Sequence, residues 1–280
     1  MIPHGRQFFK MSGSGNDFIM FDARTQPPGR LADADQVRLL CARGTGIGAD
    51  GIVFLLPSGK ATVRMVYLNA DGSVADLCGN ATLCTTRLAV ELGAAPAGGM
   101  TIETDAGVLA ARLHPTGPEF DLPPVTEVRE AVPDVGLSAG ERRAGFARAG
   151  VPHLAVLVDD VTTVDVVGRG RPLRSHPSLR DGANVNFIQS LGDGRLRMRT
   201  YERGVEAETL ACGTGAVSVA VLATAWGLVP PESPVRIRTS SGRELSVRFR
   251  PRRPGWNPSL SGQAVLIFSG HLGEPASEPG

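Results

Sequence analysis

Apolar residues in this chain fall mainly in short runs that are separated by glycine, proline, asparagine and aspartate. Runs of this length, bounded by turn-forming residues, predict β-strands. The first half has a strand near residues 8–11, and the runs at 17–22, 52–56, 62–68, 100–104 and 108–113 predict five more. The second half has predicted strands at 154–158, 185–189, 195–200, 235–239, 244–249 and 264–268.

Three segments have the longer apolar pattern of a helix. They span residues 32–42, 80–92 and 214–226, and Gly93 follows the second of them as a stop signal. The segments 80–92 and 214–226 are apolar on nearly every side, and a helix without a polar face belongs in an interior. We therefore predict an α/β (α+β) fold in which each half is a strand-rich layer wrapped around one central helix.

The two buried helices are preceded by similar sequences. Cys78-Gly79-Asn80 begins one and Cys212-Gly213-Thr214 begins the other, 134 residues later (212 − 78 = 134) in a chain of 280. This spacing predicts two pseudo-symmetric halves with the active site in the cleft between them. We place the N-terminal half at 1–123, joined by the last strand at 264–280, and the C-terminal half at 124–263. The crossover is expected in the proline- and glycine-spaced stretch 115–124.

Composition narrows the class of protein. The formal net charge is +1, which argues against a large electrostatic surface for nucleic acid or for a membrane. The arginine- and proline-rich stretch 250–259 is expected to be a solvated loop, and 272–280 a frayed tail. Four cysteines in a chain of this length do not form a disulfide scaffold, so they indicate a reducing compartment. With no signal-peptide pattern and no apolar stretch of membrane-spanning length, we expect a cytoplasmic protein.

A cysteine at the start of a helix has specific chemistry. The positive end of the helix and its unsatisfied N–H groups favour a thiolate, and they also bind carboxylates. Gly79 and Gly213 leave the backbone open to a ligand, while Asn80 and Thr214 add side-chain donors. Such a site can remove the α-proton of an amino acid and stabilise the charge that develops on its carboxylate. Two of these sites suit racemisation or epimerisation without a cofactor, because inversion needs an acid and a base on opposite faces.

The ordered motifs resemble one family closely. Gly13-Ser14-Gly15-Asn16-Asp17-Phe18, Asn69-Ala70-Asp71-Gly72, Tyr201-Glu202-Arg203-Gly204 and Ala211-Cys212-Gly213-Thr214-Gly215 resemble the motifs of diaminopimelate epimerase, and they run in family order from about residue 10 to residue 270. The resemblance implies conversion of LL-diaminopimelate to the meso isomer, for lysine and peptidoglycan precursors. It also implies an enzyme without pyridoxal phosphate, other cofactor or metal, and it is compatible with a homodimer.

The resemblance also implies residue roles. Cys78 and Cys212 become the two acid/base thiols. The groups expected to bind the small amino acid substrate are Asn16, Asn69, Gly79, Asn80, Asn184, Glu202, Arg203, Gly213 and Thr214. His153 and Glu208 are candidates for orienting roles, with Glu208 equally explained as a solvated residue. Cys41 and Cys84 are expected to be buried side chains without a catalytic role.

Four departures from the family pattern bear on substrate recognition. Ala81-Thr82-Leu83 replaces a common Gly-Ala-Arg, and the loop 204–208 is one residue longer than usual. Val151 stands where many relatives have a substrate-binding asparagine, and Gly51 where some have glutamine. The sequence leaves open a racemase of the proline or hydroxyproline type. It also leaves open a thiol redox protein, although the sequence lacks the Cys-x-x-Cys motif expected of that class. A non-catalytic amino acid binder is a further alternative.

Overall fold

The computed structural model describes residues 5–250 and 255–273 of the chain. These residues form two compact units. Of the described residues, 5–120 and 262–273 belong to the first unit, and 121–250 and 255–261 belong to the second. Residues 251–254 of the expected basic loop and 274–280 of the expected tail lie outside the described part of the chain.

The first unit is a mixed sheet with two helices. Its strands are β1 (Gln7–Gly13), β2 (Asn16–Asp22), β3 (Gly51–Leu56), β4 (Val63–Asn69), β5 (Val74–Ala75), β6 (Met100–Thr104), β7 (Gly107–His114), β8 (Gly117–Asp121, whose last residue belongs to the second unit) and β18 (Ala264–His271). Its helices are α1 (Ala34–Cys41) and α2 (Gly79–Glu91). The pairs β2–β3 and β4–β6 are parallel, whereas β18–β1, β1–β2, β3–β4, β4–β5, β6–β7 and β7–β8 are antiparallel.

The second unit has a closely similar plan. Its strands are β9 (Val128–Arg129), β10 (Glu141–Ala149), β11 (Val151–Val158), β12 (Asn184–Gly192), β13 (Arg195–Glu202), β14 (Ala207–Thr209), β15 (Val235–Arg238), β16 (Glu244–Phe249) and β17 (Pro258–Gly262, whose last residue belongs to the first unit). Its helices are α3 (Val166–Arg174) and α4 (Gly213–Ala225). Here β11–β12 and β13–β15 are parallel, and the pairs β10–β11, β12–β13, β13–β14 and β15–β16 are antiparallel.

The two units share one topology, element for element. Strands β1 to β4 pair in the same order and directions as β10 to β13, and β4–β5, β4–β6 and β6–β7 match β13–β14, β13–β15 and β15–β16. Helices α1 and α3 occupy the same place in the order, as do α2 and α4. The internal repeat inferred from the two cysteine contexts is therefore a repeat of the fold.

Helices α2 and α4 are buried on nearly all sides, as their composition predicts. Ala216 to Thr224 are buried without a break, and so are Asn80 to Thr86. Thr82 and Thr86 satisfy their hydroxyls by donating to the Cys78 and Thr82 carbonyl oxygens at 2.9 and 2.8 Å. Each helix is followed by a glycine with positive φ (Gly93, 64°; Gly227, 75°), the usual way to end a helix.

Most predicted elements are present within one or two residues of their expected bounds, and the α/β fold class is confirmed. The pattern missed α3, because two glycines and Pro172 lie in its sequence. Asp165 caps this helix by accepting from the Gly168 N–H at 2.9 Å. Strands β5, β9, β10, β14 and β17 were also missed. The expectation of a solvated loop over 250–259 is wrong at its end, because Pro258 and Ser259 are buried in β17. The stretch 115–124, expected as a crossover, contains β8.

Candidate active site

In the first unit, Cys78 immediately precedes α2. Its backbone is extended (φ −126°, ψ 116°), so the helix begins at Gly79 and Cys78 occupies the N-cap position. The side chain is half-buried. The N–H groups of the first helical residues have no partner within a helix, so the start of α2 carries the positive end of the helix dipole.

A chain of amide and carboxylate groups supports the start of α2. Asn80 Nδ2 donates to Asn16 Oδ1 at 2.6 Å, and Asn16 Nδ2 donates to Asp50 Oδ2 at 2.9 Å. Because a carboxylate oxygen accepts, Asp50 fixes the orientation of the Asn16 amide, which in turn fixes that of Asn80. The Asn80 Oδ1 atom is buried and accepts no hydrogen bond from the described residues. The start of α2 thus holds a buried acceptor two residues after Cys78.

The hydrogen-bonded series of Asn80, Asn16 and Asp50 ends in a cluster of charged side chains. Arg43 bridges Asp50 and Asp17, with 2.7 Å to an oxygen of each, and Lys10 Nζ lies 2.6 Å from Asp17 Oδ2. Burial alone would raise the pKa of Asp17, but hydrogen bonds from Arg43 and Lys10 hold it below its ordinary value. Asp17 is therefore ionised near neutral pH.

Asn69 is not part of the hydrogen-bonded series of Asn80, Asn16 and Asp50. It lies on β4, which pairs with the strand that begins directly after Asp50. It is the last residue of β4 and pairs with Gly51, the first residue of β3. Its Nδ2 donates to Ser73 Oγ at 3.0 Å within the turn 69–73. A Cβ atom at Gly51 would come within 2.3 Å of the Leu68 carbonyl oxygen and 2.5 Å of the Tyr67 ring. The glutamine of some relatives does not fit this backbone without a shift.

In the second unit, Cys212 has the same position at the start of α4. Its backbone is extended (φ −134°, ψ 108°) and the helix begins at Gly213. The Cys212 side chain is buried, and its Sγ lies 3.6 Å from Thr214 Oγ1. Thr214 Oγ1 also lies 3.0 Å from His153 Nε2. The structure thus brings together Cys212, Thr214 and His153, all of which were named from the sequence.

The His153 ring is completely buried and continues into a polar network. Asn186 Nδ2 lies 3.3 Å from His153 Nδ1, and Thr200 Oγ1 lies 3.0 Å from Asn186 Oδ1. Burial, with a smaller effect from the positive charge of Arg203, lowers the pKa of His153 to about 3. His153 is consequently neutral at physiological pH.

Three predicted substrate-binding residues gather at the end of β13 and the start of β12. The Arg203 N–H donates to Asn184 Oδ1 at 2.7 Å, and the Arg203 guanidinium donates to the Asp181 carbonyl oxygen at 2.7 Å. Glu202 accepts from Thr209 Oγ1 at 2.7 Å. Burial raises the pKa of Glu202, with the Thr209 hydrogen bond acting in the opposite direction. A positively charged ligand group would favour its ionised form.

Glu208 lies in a different set of contacts. Arg199 Nε and Nη2 donate to its two oxygens at 2.8 and 2.7 Å, and Ser240 Oγ donates at 2.8 Å. The Arg199 hydrogen bonds keep the pKa of Glu208 below its ordinary value. The structure places Glu208 in this ion pair, and none of its described hydrogen bonds leads to Cys212 or His153.

The remaining departures from the family pattern have simple structural settings. The longer loop is held by Glu206, which accepts from the Gly204 N–H at 3.0 Å and the Tyr201 hydroxyl at 3.1 Å and pairs with Arg174 at 2.9 Å. Val151 is exposed at the first residue of β11. Ala81, Thr82 and Leu83 lie in the buried face of α2.

Sequence reasoning assigned no role to three polar residues behind these sites. Asp50 lies just before the predicted strand 52–56, whereas Asn186 and Thr200 lie within the predicted strands 185–189 and 195–200. A polar residue inside such a strand is the signal that could have identified them. Conversely, Cys41 and Cys84 are buried, and burial raises the pKa of both thiols, that of Cys41 to about 11.

No group of three or more histidine, cysteine, aspartate or glutamate side chains in residues 5–250 and 255–273 has a metal-binding arrangement. Over the same residues, no helix has both the length and the apolar character needed to cross a membrane.

Known proteins with similar sequences and structures were compared with this chain. The family model described as diaminopimelate epimerase matches residues 8–128 and 145–251. A diaminopimelate epimerase of Gemmatimonas aurantiaca is 45% identical over 274 residues, which cover 95% of this chain and 98% of that protein. One of Aquifex aeolicus is 37% identical over 284 residues, with coverages of 97% and 99%. The crystal structure of a PhzF-family phenazine biosynthesis protein from Bacillus anthracis shares the fold, with a TM-score of 0.72, 16% identity and coverages of 95% and 98%.

Proposed function

The chain belongs to the diaminopimelate epimerase family, and from this premise we propose that it converts LL-2,6-diaminopimelate to the meso isomer. The reaction serves lysine and peptidoglycan precursor synthesis. The observation that carries the proposal is the repeated placement of a cysteine as the N-cap of a buried helix, once in each unit.

The proposed reaction is a two-base proton transfer. The thiolate of one cysteine removes the proton from the α-carbon, and the C–H electron pair remains on the substrate as a carbanion. The thiol of the other cysteine, Cys78 or Cys212 according to direction, gives its proton to the opposite face. The two sulfurs have then exchanged protonation states, and the overall proton count is unchanged. General acid–base groups of this kind typically contribute about 10²–10⁴-fold to the rate.

The helix starts supply the electrostatic part of catalysis. The substrate carboxylate gains negative charge as the α-proton leaves, and backbone N–H groups aimed at it stabilise that charge. We assign this role to the first residues of both helices, Gly79, Asn80, Gly213 and Thr214. Asn80 Oδ1, a buried acceptor, is suited to the α-ammonium group. The carboxylate assignment uses backbone N–H groups that the helix leaves without an internal partner.

The distal amino acid end of the substrate needs its own contacts. Arg203 can bind a carboxylate through its guanidinium group, which the Asp181 carbonyl oxygen holds in place. Glu202 and the amide groups of Asn16, Asn69 and Asn184 are acceptors for an ammonium group. A substrate with one charged amino acid end, such as proline, leaves this second set unused, so the proposal favours the longer substrate.

The decisive experiment follows LL-diaminopimelate in D₂O with the purified protein. We expect deuterium uptake at the α-carbon and formation of the meso isomer. Cys78→Ala and Cys212→Ala should each lower the epimerisation rate by about 10²-fold or more. Cys84→Ala removes a buried thiol of α2 and serves as the matched control, with the activity of the folded protein retained. Epimerisation at the wild-type rate by either active-site variant, or turnover of proline in place of diaminopimelate, contradicts the proposal.

The proposal also includes a cytoplasmic homodimer. A two-thiol reaction requires both cysteines to be reduced, as they are in the cytoplasm. Ile267 and Phe268 of β18 are about half exposed (53% and 49%), and exposed apolar side chains of this kind suit contact with a second copy. Light scattering coupled to size-exclusion chromatography should give twice the mass of the chain. A monomer at micromolar concentration removes this part of the proposal.

A further inference from the structure

A buried polar network lies behind Cys212, and the acid/base reaction alone does not account for it. We propose that Asn186 is a positioning residue for Cys212. It holds the His153 ring in one tautomer, and this ring orients the Thr214 hydroxyl so that its proton points at the Cys212 sulfur. The inference rests on the proposed function, in that it treats Cys212 as one of the two reacting thiols.

The orientation of the Asn186 amide follows from its neighbours. Nδ2 lies 3.2 Å from the Leu154 carbonyl oxygen, which can only accept a hydrogen bond. Oδ1 lies 3.0 Å from Thr200 Oγ1, which can donate. If the Oδ1 and Nδ2 atoms of Asn186 were exchanged, Oδ1 would face the Leu154 carbonyl oxygen, and neither oxygen can donate a hydrogen bond. The Nδ2 group is therefore the one that faces His153.

This orientation fixes the tautomer of His153. Asn186 Nδ2 donates, so the Nδ1 atom of His153, 3.3 Å away, must accept and carries no proton. A neutral imidazole then has its proton on Nε2. That N–H donates to Thr214 Oγ1 at 3.0 Å. The ring acts as a donor toward Thr214, and it has no vacant basic nitrogen in this arrangement.

The last step concerns the single proton of the Thr214 hydroxyl. Because the Thr214 oxygen accepts from His153, its own O–H is directed elsewhere, and Cys212 Sγ lies 3.6 Å from the oxygen. A hydroxyl that donates to sulfur stabilises the thiolate over the thiol. The network therefore adds a directed donor to the general effect of the helix start.

The other repeat shows that the fold itself does not require these polar groups. The residue three positions before each cysteine pairs with Tyr67 in the first unit (Ala75) and with Thr200 in the second (Thr209). Tyr67 and Thr200 are thus equivalent positions. Tyr67 lies opposite Val53, just as Thr200 lies opposite Asn186.

The same register extends to the next strand. Val53 pairs with Met20 and Asn186 pairs with Ala155, so Phe18 is the equivalent of His153. Phe18 is fully buried and packs edge-on against the Tyr67 ring, with the ring centroids 5.8 Å apart. An apolar core is therefore sufficient at these positions in one repeat, and the polar network in the other has a purpose beyond folding.

Alkylation of the thiols tests the inference without using substrate. In Asn186→Val, which introduces the residue of the other repeat, iodoacetamide at pH 7 should modify Cys212 about tenfold more slowly, as expected for loss of a hydrogen bond to a charged group. The rate at Cys78, followed by mass spectrometry of its own peptide, should stay within about twofold. Ser218→Ala, which removes another buried hydroxyl of α4, is the matched control. An unchanged Cys212 rate in Asn186→Val overturns the inference.

Two further variants distinguish a positioning role from a structural one. His153→Gln keeps an N–H donor for Thr214 and should retain most of the Cys212 reactivity, whereas Asn186→Asp turns the donor toward Nδ1 into an acceptor and should lower it. Side-chain ¹⁵N shifts of His153 should show a neutral ring protonated on Nε2 in the wild type. A ring protonated on Nδ1 at pH 7, or His153→Gln as slow as Asn186→Asp, overturns the inference. Failure of epimerisation with an intact alkylation pattern instead contradicts the proposed function.

Discussion

The two repeats have the same topology, but the networks behind their cysteines have opposite polarity. Behind Cys78, hydrogen bonds run from Asn80 through Asn16 to Asp50, and they leave an amide oxygen as an acceptor. Behind Cys212, they run from Thr200 through Asn186 and His153, and they end in a hydroxyl proton. One repeat offers an acceptor and the other a donor.

Under the proposed function, this difference suits a substrate centre that is itself unsymmetrical. An α-amino acid presents an ammonium group, which needs acceptors, and a carboxylate, which needs donors. Two identical sites would supply two sets of acceptors or two sets of donors, and one of the two substrate groups would then lack partners. The repeats thus differ at the residues around the thiols, while the thiols and the helix starts are alike.

The strongest test of the difference between the repeats is a substitution at the third residue after each cysteine. A Cβ atom at Gly215 would lie 2.6 Å from Asn186 Oδ1 and 3.2 Å from Cys212 Sγ. Gly215→Ala should therefore displace Asn186, lower the unfolding free energy by about 1–3 kcal/mol and slow alkylation of Cys212. The equivalent Ala81 is fully buried in α2. Ala81→Gly should cost about 1 kcal/mol through helix propensity, with the Cys78 alkylation rate unchanged. Urea unfolding measures both, and a Gly215→Ala protein with wild-type stability and reactivity refutes the account.

The pH dependence of stability gives the next largest effect. The pKa of His153 falls from 6.5 to about 3 on folding, so the unfolded chain binds a proton between these values and the folded chain does not. Stability is therefore lost as pH falls below about 6.5, by about 1.4 kcal/mol per pH unit for this residue. His153→Gln removes this contribution, and near pH 5.5 the difference from wild type should be about 1.4 kcal/mol smaller than at pH 7.5. Equal pH slopes in urea unfolding would show that His153 binds a proton in the folded state.

Sequence patterns were sufficient for the features that depend on composition. The apolar, all-round-buried helices and the glycine after each cysteine identified α2, α4 and their thiols, and alternating or continuous apolar runs located most strands. The repeat itself followed from Cys78 and Cys212 because their neighbours are chemically similar.

The networks could not be predicted because they depend on register across strands. Phe18 and His153 occupy equivalent positions, as do Val53 and Asn186, yet no local similarity links the members of either pair. Only the pairing of neighbouring strands reveals that the polar members face one another. Helix α3 was missed for a local reason, since glycine and Pro172 lower helix propensity and tertiary packing overrides it.

Glu202 offers a smaller effect of the opposite sign. Its pKa is raised by burial, so stability falls as pH rises from about 4.5 through the folded value, and at neutral pH the buried charge is a cost. Glu202→Gln, which makes this position an amide like its counterpart Asn69, should raise stability by about 1 kcal/mol, or about 2–4 °C in Tm. Epimerase activity should fall. Glu208→Gln is the control, because Arg199 lowers the pKa of Glu208 and that variant should lose stability. Thermal unfolding at pH 7 in which both variants move in the same direction contradicts this reading.

The smallest effect separates the two networks by their response to salt. Arg43, which bridges Asp17 and Asp50, is 62% exposed, so Arg43→Gln should cost only about 0.5–1 kcal/mol at low ionic strength. Near 1 M salt the screening length is about 3 Å, and most of this cost should disappear. The network of Asn186 and His153 is neutral and buried, so the cost of Asn186→Val should be the same at both salt concentrations. Urea unfolding of the two variants at low and high salt gives the comparison directly. A salt-dependent cost for Asn186→Val would mean that His153 carries a charge. The protons assigned to His153 and Thr214 in the network behind Cys212 would then be wrong.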